Sequence, residues 1–190
     1  MKQALIIIDL INDITGKHGL SNACHEQTAA RNLIAATRET ARQARLRDIP
    51  VVWVRVGFAD DWHDIPAGSP MFQRAKEIGA LKLSSSGCDW ADGTDVQKED
   101  VCFVKKGVSA FAGNDLLIWL RKAGIEHLVL AGVSTVMAIQ STARYAHDSG
   151  FYVSVAEDLC AAPTAELHQI SLEMLRPMAA ITTSAAWLAQ

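Results

Sequence analysis

Apolar residues in this chain fall into short β-branched runs that alternate with longer stretches carrying Ala, Leu and Ile at helical spacing. Residues 4–9 read Ala-Leu-Ile-Ile-Ile-Asp, a continuous apolar strand closed by a carboxylate. Residues 27–47 place Ala, Leu and Ile on one side and Arg and Glu on the other, which predicts one helix. Residues 50–56 predict a second strand, and 101–105 a third that ends in lysine. A helix is predicted over 113–123, with Gly124 at its C-terminal cap. The fourth strand spans 127–131 and stops at Gly132, and a helix over 135–148 opens beside Ser134 and Thr135. Residues 151–156 predict the fifth strand, 163–175 a helix and 179–182 a short sixth strand.

Strands that are apolar on both faces belong to parallel sheets covered on both sides. Their alternation with helices predicts an α/β fold, a doubly wound sheet with helices on both faces. The exception is 57–100, rich in Gly, Ser, Asp and Pro and without sustained periodicity. A connection of that length usually shapes a site or a subunit contact. No internal repeat or interdomain linker interrupts the pattern, so one domain over 1–190 is expected.

Composition narrows the function classes. Of 190 residues, 49% are hydrophobic and 21% charged, and the net charge is −3, which describes an ordinary globule without a nucleic-acid groove. No apolar stretch reaches the roughly 20 residues of a membrane helix. The segment Met1-Lys2-Gln3-Ala4-Leu5 enters a strand without a signal-peptide pattern, so a cytoplasmic protein is expected. Cys24, Cys88, Cys102 and Cys160 form no C-x-x-C pair and no zinc-type spacing, and they are expected to be reduced thiols. No glycine-rich dinucleotide fingerprint follows any strand, so no redox cofactor is implied.

Ligands of open α/β sheets bind beyond the carboxyl ends of the strands, where strand order reverses. Three chemically useful features lie at such ends: Asp9, Lys105 and the corner Gly132-Val133-Ser134-Thr135. Each has a plain structural explanation. A strand-end Asp starts turns, a strand-end Lys is solvated, and Ser and Thr cap helices. Their joint placement on one edge of one sheet favours a site, because a helix start leaves backbone N–H groups free for a substrate.

Five segments, in order, are similar to the isochorismatase-like hydrolase superfamily: Ile6-Ile7-Ile8-Asp9-Leu10, Val104-Lys105-Lys106-Gly107-Val108-Ser109-Ala110-Phe111, Leu128 to Thr135, Ser141-Thr142-Ala143-Arg144, and Ala156-Glu157-Asp158-Leu159-Cys160-Ala161. The resemblance implies a six-stranded parallel sheet in the order 3-2-1-4-5-6, a homo-oligomer of two or more subunits, and a non-proline cis peptide between Val133 and Ser134. It also implies that backbone groups at Val133 and Ser134 orient a substrate oxygen. The family's lysine stands four residues before Ser-Ala-Phe, which selects Lys105. Most amidase-type members pair an Asp and a Lys with a nucleophilic Cys, and the position of that Cys is Ala138 here. A methyl group cannot attack a carbonyl. The resemblance leaves open hydrolysis of a vinyl ether, in which a protonated Asp9 gives its proton to the enol ether carbon and water captures the cation.

Asp61-Trp62-His63 is similar to the Asp-x-His metal ligands of the nicotinamidase branch, but the next histidine is His127 on the fourth strand, so no metal is expected. Phe58, Trp62 and Phe111, with Trp90, are candidates to line an apolar pocket, or else core aromatics. Arg55 and Lys106 could meet an anion or pair on the surface, and Gln140, Arg144 and His147 more simply make structural contacts. The sequence therefore predicts a cysteine-less hydrolase of a small, anionic molecule, with Asp9 as acid/base and Lys105 as its partner. The alternative is a catalytically inactive small-molecule-binding or assembly protein on the same fold.

Overall fold

A computed structural model describes residues 1–190. Six strands form one parallel sheet: β1 (Gln3–Ile8), β2 (Val51–Val56), β3 (Val101–Lys105), β4 (His127–Val133), β5 (Tyr152–Ala161) and β6 (Ala180–Thr182). Their spatial order is β3-β2-β1-β4-β5-β6. The chain therefore changes direction across the sheet between β1 and β4, whose residues pair from Gln3 with His127 to Ile8 with Gly132.

The alternation of side chains along each strand divides the apolar residues between two layers. Ile6, Ile8, Leu128 and Leu130 pack under α5 (Leu116–Lys122), α6 (Gln140–Asp148) and α7 (Ala165–Leu175). Leu5, Ile7, Val129 and Ala131 pack on the other face with Leu33, Ala41, Ala44 and Trp187. This is the doubly wound, three-layer α/β sandwich that the sequence predicts. No helix is long and apolar enough to cross a membrane.

Several boundaries differ from the sequence prediction. The helix expected over 27–47 is two helices, α2 (His25–Ala30) and α3 (Leu33–Arg45). Asn32 breaks it in the left-handed region, φ 49°, a conformation Asn tolerates better than most residues. At the break Arg31 donates to the Glu157 carbonyl at 2.8 Å and to its carboxylate at 3.1 Å, joining the helix to β5. β5 runs past 156 to Ala161, with a shift in its pairing to β4 between Leu130 and Gly132. The charged pair Glu157-Asp158 mimics a strand end, but Asp158 is occupied by Ser184, whose N–H and hydroxyl reach it at 2.7 and 2.5 Å. That contact holds a terminal helix, α8 (Ser184–Leu188), which the sequence reading did not anticipate.

The 57–100 connection holds a helix as well, α4 (Pro70–Ile78). It carries standard signals: the Ser69 hydroxyl accepts from the Phe72 N–H, Pro70 opens the first turn, and Gly79 closes it at φ 75°. Its shortness hid the periodicity. The connection is pinned by Asp13, a 5% exposed carboxylate in α1 (Asn12–Thr15). Asp13 accepts from the Leu81 N–H at 2.7 Å and the Leu20 N–H at 3.2 Å. A Cβ on Gly87 would lie 2.4 Å from that carboxylate, so only glycine fits there.

Candidate active site

Three strand ends bring their side chains together beside the switch point. Asp9 follows β1 with φ 58°, a conformation that ends the strand and leaves the carboxyl above the ends of β1 and β2. One oxygen, Oδ1, accepts from the Val56 N–H at 2.7 Å. The other, Oδ2, lies 2.8 Å from Lys105 Nζ, with both side chains almost wholly buried. Lys105 also donates to the Val108 carbonyl at 2.5 Å. Burial pushes the Asp9 carboxyl above the usual carboxylate range, and it does so against the opposing pull of Lys105 and the Val56 N–H.

The β4 corner supplies the opposite wall. Gly132 has φ 112°, and a Cβ on it would lie 2.0 Å from the Ile8 carbonyl oxygen. Only glycine lets β4 approach β1 so closely here. The Val133–Ser134 peptide is cis. A π-helical turn over Thr135–Ile139 then leads into α6. The Ser134 carbonyl accepts from the Met137 and Ile139 N–H groups, at 3.2 and 3.1 Å, whereas the Ser134 N–H has no acceptor in the protein. Ala138 is 3% exposed and faces the same space.

That space is a cavity of about 330 Å³. Of its 18 lining residues 13 are hydrophobic, and the rest are Asp9, Lys105, Ser21, Ser134 and Pro163. Asp9, Lys105, Val133, Ser134 and Ala138 are thus brought together. The aromatic candidates are not. Phe58 and Trp62 lie behind the wall in a separate apolar cluster. The ring that lines the cavity is Phe72 of α4, packed edge-on against Phe58 at 5.1 Å. Phe111 stacks on Tyr145 at 4.7 Å within the core under α6. Trp90 packs on Trp53 at 5.6 Å and beneath Arg55.

The remaining candidates are engaged elsewhere. Arg55 donates to the Cys88 carbonyl, and Lys106 joins Asp64 at 2.6 Å and the Gly57 carbonyl at 2.7 Å. Gln140 donates to the Ser171 carbonyl, Arg144 to Gln140, and His147 pairs with Asp148. Asp61 and His63 pair with each other on an exposed loop, and no third His, Cys, Asp or Glu joins them, so this donor set does not fit a metal ion.

Sequence reasoning missed two features. Cys24 lines the cavity near Asp9. Burial, with the Asp9 charge behind it, pushes its thiol up to about 11, so it is a poor thiolate nucleophile. Its loop position carries no periodic signal. Behind the corner, the buried Thr135 hydroxyl meets His168 Nδ1 at 2.8 Å, and His168 Nε2 faces Glu157 at 3.5 Å. A helix-borne histidine at residue 168 gives no hint of a partner 33 residues away.

An open parallel sheet with an acid and a lysine beside a helix corner at the switch point defines a class of α/β enzymes. The isochorismatase domain model matches residues 3–186, and the chain belongs to the isochorismatase family, a family of hydrolases. It is 31% identical over 179 residues to the isochorismatase family protein YecD of Escherichia coli O157:H7, covering 92% of this chain and 87% of that one. It is 29% identical over 171 residues to a "Probable inactive nicotinamidase" of Arabidopsis thaliana, covering 89% and 85%. The ureidoacrylate amidohydrolase RutB of Enterobacter sp. (strain 638) is 26% identical over 168 residues, covering 82% and 73%. Among solved structures, an isochorismatase family protein from Burkholderia thailandensis superposes with a TM-score of 0.83 at 27% identity, covering 100% of this chain and 96% of that one.

Proposed function

We propose that this protein hydrolyses a small molecule by acid/base catalysis at Asp9, without a covalent intermediate, and that a vinyl ether is the favoured substrate type. The observation that carries this reading is the Asp9–Lys105 pair, 2.8 Å apart on the floor of an apolar cavity, where desolvation favours the acid form. In the proposed cycle the Asp9 carboxyl gives its proton to the terminal carbon of the enol ether. The carbon attached to oxygen becomes an oxocarbenium ion. Water adds there and returns a proton to Asp9, and the hemiketal collapses to a carbonyl compound and an alcohol. Lys105 fixes the carboxyl and stabilises its anion after transfer. The Ser134 N–H is free to hold a substrate oxygen.

Ala138 supports the non-covalent route, because the side chain at the family's nucleophile position is a methyl group. The same residue favours the second reading, a non-catalytic binding or assembly protein. The proposal includes a cytoplasmic homo-oligomer of one-domain subunits. Leu167, Ile170 and Met174 of α7, 40 to 56% exposed, form an apolar stripe suited to a subunit contact.

The test incubates the purified protein with isochorismate, uncharged vinyl ethers and small amides, beside an Asp9→Asn variant whose folding is checked by circular dichroism. Turnover of a vinyl ether that drops about 10²-fold or more in the variant supports the reading. Amide hydrolysis at a comparable rate would overturn it. Ligand-raised melting temperature without turnover of any compound would favour the binding protein.

A further inference from the structure

The cavity has two unlike ends. The strand order β3-β2-β1-β4 sets Lys105, Val56, Asp9 and Val133 in sequence along one edge of the sheet, with the Ser134 corner at the β4 end. At the β2 and β3 end the wall is hydrocarbon: Phe72 and Ala75 from one face of α4, beside Leu81 and Val108. Leu81 is the informative member. Six non-glycine residues have positive φ, and four of them are Asp or Asn, which tolerate it. The other two are Trp62 at 62° and Leu81 at 64°, both in the apolar cluster that builds this wall. A leucine in the left-handed region is disfavoured and persists only where its surroundings hold it. Here the buried Asp13 carboxylate accepts from the Leu81 N–H at 2.7 Å, and the Leu81 carbonyl accepts from the Phe58 N–H at 2.9 Å. Glycine would fit that backbone without steric cost. What leucine adds is a side chain on the cavity wall, 3% exposed.

We infer that Phe72, Ala75 and Leu81 form a specificity wall that receives an apolar substituent of the substrate, one ring in size, while the polar end of the substrate faces Asp9 and Ser134. This deepens the hydrolase reading above and rests on it for the chemistry at the polar end. The wall sets the size and hydrophobicity of the substituent and leaves the charge of the polar end open. A cavity of about 330 Å³ stands at the lower end of the roughly 300–1,000 Å³ of small-molecule sites, which limits the substituent to that size. Ala75, 5% exposed and the smallest of the three, leaves the room that a larger side chain would fill. All three residues belong to 57–100, the connection without sustained periodicity.

The experiment measures binding by calorimetry on the full chain, with methyl, cyclohexyl, phenyl and naphthyl members of two series, carboxylic acids and primary amides, so that the head group does not decide the outcome. Within a series that binds, the cyclohexyl and phenyl members are expected to bind about tenfold or more tightly than the methyl member. Ala75→Leu fills the space and is expected to erase most of that gain. Leu81→Gly suits the backbone and opens the wall, so phenyl binding is expected to fall about tenfold while naphthyl gains relative to phenyl. A merely structural role would lower every member of a series alike, and circular dichroism checks that both variants fold. Equal affinity across sizes, no binding of any probe, or losses independent of size in both variants would each overturn the inference. The two readings fail separately. If the ring compounds bind preferentially but no vinyl ether is turned over, the hydrolase reading falls and the wall stands. If methyl and phenyl vinyl ethers are hydrolysed with equal kcat/KM and the probes show no size preference, the wall falls and the hydrolase reading stands.

Discussion

Asp9 is the residue on which the proposed chemistry turns, because its environment pulls its proton two ways. Burial favours the neutral acid, while Lys105 and the Val56 N–H favour the anion. Burial has the larger effect, so the acid form survives above the usual carboxylate range. A general acid works only while protonated, and turnover of a vinyl ether is therefore expected to fall as pH rises through the Asp9 pKa. Lys105→Met removes the main influence favouring the anion. The fall in kcat is expected to move to higher pH by about one unit or more, measured as a pH–rate profile. An unmoved profile would mean that Asp9 is not the group being titrated. Asp9 and Lys105 were legible as strand-end residues in the sequence. Their 2.8 Å contact was not, because Asp9 follows β1 and Lys105 ends β3, and those strands are separated by β2.

Elements matter here mainly by how closely they approach. Gly132 is the position where β4 lies against β1 with no room for a side chain. Gly132→Ala would drive a methyl group into the backbone of Ile8, and backbone in the centre of a sheet has nowhere to move. A loss of about 3 kcal/mol or more is expected in denaturant unfolding, with the cavity distorted in whatever folds. A cost under about 0.5 kcal/mol would show that the strands can separate. Strands read well from sequence because a buried parallel strand is simply an apolar run. Helices read less evenly. The break at Asn32 lay inside an unbroken helical pattern, and α4 was too short to show one.

For the whole molecule, two buried ionisable groups give stability opposite pH dependences. His168 has its pKa lowered below 6.5 by burial and then by Arg31, against Glu157. Its neutral form is the one that folds, so its contribution is complete above about 6.5 and is lost as pH falls through the folded value. Asp9, with a raised pKa, contributes below its ordinary 3.8 and loses that contribution as pH rises through its folded value. His168→Gln is expected to cost roughly 1 kcal/mol at pH 7.5, through the Thr135 contact. Its melting temperature is also expected to change less than that of the native chain between pH 7.5 and 5. An equal acid loss in both proteins would remove His168 from the account.

By itself the sequence determined the strands, the two-layer packing, the family and the identity of the three strand-end features, because these depend on local pattern and on residues adjacent in the chain. It also determined that no thiol stands at position 138. The tertiary structure decided which charges cancel and which surfaces face inward. It paired Lys105 with Asp9, placed Phe72 rather than Phe58 or Trp62 on the cavity wall, and brought Cys24 beside the acid. Those outcomes depend on distances between segments far apart in the chain, which no local pattern encodes.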